Sequence, residues 1–112
     1  MRPRFKLWIE KDGQLVFSDW RAQLLRTIDE SGSLSEAASR LGVHYRIAWE
    51  KLHRMEQRLG VKLVEGHSGG AGGGGANLTD AGRELLAKYE RLTASLDEEV
   101  ARRFAALFGE EG

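Results

Sequence analysis

GSLSEAASRLGVHYRIAWEKLHRMEQRLG, residues 32–60, carries the most informative pattern in the chain. Ser33 is a good helix N-cap, and Glu36 three residues later completes an S-x-x-E capping box. The short helix this opens, over residues 35–41, sets Ala37, Ala38 and Leu41 on one face, where two alanines admit a second helix at close range. Gly42 stops it, because glycine takes the left-handed backbone without steric cost. Val43 plugs the turn, and a longer amphipathic helix is expected from His44 to Leu59. Two helices joined across a tight glycine turn, the second with polar groups outward, form the helix-turn-helix that enters the major groove of DNA.

Unrolled at about 100° per residue, the second helix gathers Ala48, Leu52, Met55 and Leu59 into one apolar stripe that must face a core. Arg46, Glu50, His53 and Gln57 lie opposite, with Trp49 and Arg54 on the flanks. Side chains near the start of such a helix reach base edges. Arg46 suits bidentate bonds to guanine, and Glu50 can accept from cytosine. His44 and Tyr45 are close enough to touch a base or a phosphate. Packing competes with contact at Tyr45 and Trp49, which border the apolar stripe, and His53 also reads as a solvated helix histidine. Ser33 and Ser35 join the candidate set because the first helix is expected against the sugar–phosphate backbone. No His, Asp or Glu cluster has metal-ligand spacing and no nucleophile lies beside a base, so no metal, cofactor or enzymatic activity is expected.

Net charge is zero, with 17 basic and 17 acidic residues, but its distribution is uneven. Between Arg40 and Lys62 the bases Arg40, Arg46, Lys51, Arg54, Arg58 and Lys62 face only Glu50 and Glu56, a local +4. From Thr79 onward the balance is −3. A basic reading head on an acidic tail is what a phosphate-facing module needs. The chain has 112 residues and no cysteine, which excludes disulfide scaffolds and thiolate metal sites. No apolar run reaches bilayer length and the N-terminus lacks a signal-peptide block, so no membrane partner and a cytoplasmic location are expected.

Before the helix-turn-helix, FKLWIEKDGQLVFS alternates apolar and polar residues about Asp12-Gly13, a two-residue hairpin signal over residues 4–18. Phe5, Leu7 and Ile9 share one face and Trp8 the other. Leu24, Leu25 and Ile28 recur at helical spacing over residues 19–31, capped by Ser18 or Asp19. After it, residues 61–78 hold two strand-like runs around a glycine tract. The tract is not a Walker loop, since Ala76-Asn77 stand where Lys-Ser/Thr is required. Its place just beyond the recognition helix suggests a wing, with the amides of Gly69, Gly70, Gly72 and Gly73 near phosphates, although a flexible linker has the same composition. Thr79 caps a final helix over residues 80–108. Leu85, Tyr89, Leu92, Leu96, Val100, Phe104 and Leu107 form an apolar seam along some 40 Å, too long for so small a domain to cover. Such a seam calls for a second copy, with a helix folded back over its own domain as the alternative, and a homodimer also matches a palindromic site.

These residues resemble a family. The Gly32–Ser35 start, Tyr45 with Ala48 and Trp49, and the glycine tract before Leu78-Thr79 are similar to the N-terminal DNA-binding domain of the ModE-type molybdate-responsive regulators. A more distant likeness to LysR-type winged helices rests on Ala37-Ala38, on Leu59-Gly60-Val61 and on Leu78-Thr79 with Gly82. The resemblance implies DNA binding and dimerisation, with a link to molybdenum metabolism through target genes. Ala71 stands where ModE-type wings usually carry lysine. No oxyanion domain follows, so a ligand such as molybdate is not expected in this chain. The reading is a mainly α fold with small β: a winged helix-turn-helix over residues 1–78 (helix-turn-helix 33–59, wing 61–78) and a dimerisation helix over 79–112. The expected function is a dimeric transcription regulator binding double-stranded DNA. The alternative is a winged-helix protein-interaction module that dimerises without reading DNA specifically.

Overall fold

The computed structural model describes residues 1–67 and 75–109. Along the chain lie β1 (Trp8–Lys11), β2 (Gln14–Ser18), α1 (Asp19–Ser31), α2 (Leu34–Leu41), α3 (Tyr45–Leu59), β3 (Val64–His67), β4 (Gly75–Leu78) and α4 (Asp80–Phe108). This is a winged helix: three helices around one core, an antiparallel β3–β4 wing after the third, and a long helix leaving the domain.

β1 and β2 form a hairpin through Asp12 and Gly13, both at positive φ (53° and 77°), as a type I′ turn requires. Ile9 faces Phe17 and Glu10 faces Leu15, so Val16 bulges. The bulge breaks the alternation and lets Val16 and Phe17, adjacent in sequence, both be buried. The strand begins only at Trp8, so Phe5 lies outside it and exposed, contrary to the alternation read over residues 5–9, while Leu7 and Ile9 do pack on the core.

Each helix of the head contributes one stripe to that core. Leu24, Leu25 and Ile28 from α1 meet Ala37 and Ala38 from α2 and Ala48, Leu52 and Met55 from α3. At about 1.5–3 kcal/mol for each large apolar side chain, this cluster outweighs any surface pair in the molecule. Ser18, not Asp19, caps α1, its Oγ accepting from the Arg21 amide. Ser33 caps α2 by accepting from the Glu36 amide at 3.0 Å, and that helix begins at Leu34, one residue earlier than expected. Gly42 ends it at φ 72°.

The wing is pinned at its root. Glu56 of α3 accepts from the Leu63 and Val64 amides at 2.8 and 3.2 Å. The Thr79 amide donates to the Leu63 carbonyl at 2.9 Å, and its Oγ1 donates to the Lys62 carbonyl at 2.7 Å while capping α4 at Gly82. The first turn of α4 thus lies directly on the lead into β3. Only glycine fits at position 82, where an added Cβ stands 2.2 Å from the Leu63 carbonyl oxygen.

Tyr89 requires a correction. Read as part of the dimer seam, it is instead buried in its own domain, 3% exposed, with its ring edge-on to Phe17 at 4.9 Å. Its hydroxyl donates to the Leu7 carbonyl at 2.8 Å and lies 3.3 Å from Asp19 Oδ1. Burial first, and then Asp19, raise its pKa above the ordinary tyrosine value. Leu85 also packs against the core. Beyond Arg26, which pairs with Glu90, α4 runs on uncovered, and the molecule extends 58 Å along its longest axis.

Candidate nucleic-acid interface

α3 presents its outward face because its inward face is fully committed: Ala48, Leu52 and Met55 are buried, and Leu59 packs beside them. Arg46 stands on that face with its side chain 84% exposed and, among the described residues, tethered by a long 3.9 Å contact to Glu50 one turn on. A guanidinium tethered so loosely keeps its fork free for a planar acceptor. His44 is the N-cap residue of α3, makes no side-chain capping bond and is exposed.

On the wing side, Tyr45, Trp49 and His53 climb α3 as an aromatic ladder. Trp49 and His53 stack with centroids 3.8 Å apart at 23°. His53 Nδ1 lies 2.8 Å from the Trp49 carbonyl oxygen. A carbonyl only accepts, so Nδ1 is the donor in this contact. Tyr45 and Trp49 are 53% and 44% exposed, so neither is consumed by packing.

A groove of about 400 Å³ runs between this ladder, the start of α2 and the wing. It brings together Ser33, Ser35, Tyr45, Trp49 and His53 with Gly66 of β3 and Gly75, the first residue of β4. Arg46 and Glu50 line an adjoining hollow of about 370 Å³ that shares Tyr45 and Trp49. Arg54 is exposed on the other flank of the helix, away from the wing. Gly69, Gly70, Gly72 and Gly73 lie outside the described residues.

Two residues that sequence reasoning left out belong to the site. Lys62 lines the groove at the wing root. Glu56, read from the sequence only as a charge, is the bracket that fixes the wing against α3. Its position one side of the apolar stripe, on the same flank as Trp49, was the available signal. Among the described residues, no group of three His, Cys, Asp or Glu side chains could hold a metal, and no helix is long and apolar enough to cross a membrane.

This is the architecture of a DNA-binding winged helix-turn-helix. Residues 21–83 match the family of bacterial regulatory helix-turn-helix proteins, lysR family, and the chain belongs to it. It is 40% identical over 88 residues to the molybdenum-pterin-binding protein MopB of Rhodobacter capsulatus, covering 79% of this chain and 32% of that protein. It is 42% identical over 80 residues to the DNA-binding transcriptional dual regulator ModE of Escherichia coli (strain K12), covering 70% and 30% respectively. The chain thus spans about a third of the length of these curated relatives. In three dimensions it resembles the crystal structure of the CbnR DBD–DNA complex, with a TM-score of 0.60, 27% identity, and coverage of 80% of this chain and 98% of that one. Full-length CbnR complexed with its target DNA also gives a TM-score of 0.60, at 28% identity over 79% of this chain and 29% of the other.

Proposed function

We propose that this chain is the DNA-binding part of a dimeric transcription regulator. The observation that carries it is the convergence, on one side of the fold, of the α2 N-terminus, the exposed face of α3 from Arg46 to His53, and the root of the wing. Arg46 and Glu50 supply a donor fork and an acceptor for base edges, and Ser33, Ser35 and Lys62 suit the backbone. Support comes from relatives named as a DNA-binding regulator and from related domains crystallised with DNA. The names of the ModE and MopB relatives also support a molybdenum-linked set of target genes.

The distal half of α4 supports the dimeric reading. Leu92, Leu107 and Phe108 are exposed, and Leu96, Val100 and Phe104 are half-exposed on the same side. Soluble monomers rarely leave so long an apolar stripe in water. A second copy laid along it sets two reading heads about a two-fold axis. Selection from random duplexes, followed by gel shift at low salt, tests the whole reading. A roughly palindromic consensus is the expected result, and no retention of any duplex would refute it.

A further inference from the structure

Four cations gather on the flank of α3 turned away from the wing, where that helix crosses the junction of β2 and α1. Arg58 Nη1 donates to the Leu15 carbonyl at 2.8 Å, and Arg21 Nη1 donates to Ser18 Oγ at 3.2 Å. Lys51 Nζ stands 5.8 Å from the centroid of Trp20, the residue beside Arg21. Arg54, one turn before Arg58, is exposed. The guanidinium of Arg21 feels the crowding: burial first, then the charges of Arg58 and Arg54, hold it below the usual arginine range. None of the four has a carboxylate partner among the described residues, whereas Arg40, Arg46, Lys88 and Arg103 each have one on their own helix. Asp19, two residues before Arg21, is engaged with Tyr89, and Glu50, next to Lys51 in sequence, with Arg46.

Like charges held together without counterions oppose folding, so an anion that fills the gap gains twice, by its own contacts and by relieving the repulsion. Arg21 and Arg58 each tie one Nη to the protein and keep further N–H groups for an oxyanion. We infer that Arg21, Lys51, Arg54 and Arg58 form a phosphate-binding site, filled by backbone phosphates bordering the groove that α3 reads. This rests on the proposed DNA binding. Position selects the backbone over a free phosphate: the cluster flanks the face of α3 that carries Arg46, on the side opposite the wing, where the backbone bordering a groove occupied by that face would run.

The test compares the wild type with Lys51→Gln/Arg54→Gln, and with Arg54→Gln alone should the double variant fold poorly. The slope of log Kobs against log salt should fall by about 0.9 for each phosphate that the variant no longer neutralises, equally on a selected site and on an unrelated duplex. An unchanged slope, with wild type binding DNA, overturns the inference. In a second arm, thermal midpoints are compared in inorganic phosphate and in chloride at matched ionic strength. A phosphate-specific rise in the wild type that the variant loses, together with an unchanged slope, reassigns the site to a free phosphate and overturns the backbone assignment. If wild type binds no duplex, the proposed function fails, and the phosphate arm alone then decides whether the cluster binds oxyanions.

Discussion

Gly82→Ala should destabilise the protein, although helix propensity alone says the opposite. Position 82 lies in the first turn of α4 with no positive φ, so replacing glycine by alanine there is worth up to about 1 kcal/mol in favour of the variant. Against this, the new Cβ stands 2.2 Å from the Leu63 carbonyl oxygen, 3.1 Å from its carbon and 3.3 Å from its Cα. Contacts below 3.0 Å are essentially never seen, and the obstacle is backbone, so α4 must retreat by about an ångström. The same carbonyl accepts from the Thr79 amide, and that bond is broken or stretched by the retreat. Overpacking of this kind costs about 1–3 kcal/mol and the hydrogen bond about 1 kcal/mol. The balance is a loss of about 2 kcal/mol, or about 8–16 °C in a domain of this size. Differential scanning calorimetry reads it directly. A midpoint unchanged or raised would refute the account of how α4 sits on the wing root.

Glu56→Ala should leave the Leu63 and Val64 amides without their carboxylate, at a cost of about 2–4 kcal/mol, and should weaken DNA binding even under conditions where the fold persists. Calorimetry beside a gel shift separates the two effects. Tyr89→Phe should lose about 1–2 kcal/mol with the bond to Leu7. Because the folded-state pKa of Tyr89 is raised, its contribution is intact below the unfolded-state tyrosine pKa and falls as pH climbs through and beyond it; alkaline titration of stability should show this component in wild type and not in the variant. Leu92→Glu with Leu96→Glu should yield a monomer by sedimentation at micromolar concentration. A dimer that survives both charges would place the interface elsewhere.

The elements were legible because their ends carry local chemistry. Ser33, Thr79, Gly42 and the Asp12-Gly13 turn act on their immediate neighbours, so spacing alone located α2, α4 and the hairpin. The outward set on α3 was legible for a related reason: once Ala48, Leu52 and Met55 define the inside, Arg46 and Glu50 can only lie outside. What could not be read depends on approach between distant segments. Tyr89 continues the spacing of the α4 seam perfectly well, and nothing within its helix reveals that Leu7, 82 residues away, takes its hydroxyl. The Val16 bulge likewise appears only once Phe17 must fill the core beside Tyr89. Glu56 as the wing bracket and the cluster about Arg21 are further products of tertiary approach, in which charges that are ordinary helix-surface residues in sequence find partners or are left without them.

We propose that α3 reads bases through Arg46, and a single substitution there separates base contact from backbone contact. Affinities of wild type and Arg46→Ala should be measured by fluorescence anisotropy at fixed salt, on a duplex selected by the wild type and on a scrambled one. The account predicts a loss of about 1–3 kcal/mol for each base contact on the selected duplex and a far smaller loss on the scrambled one. Equal losses on both duplexes, or none on either, would contradict it.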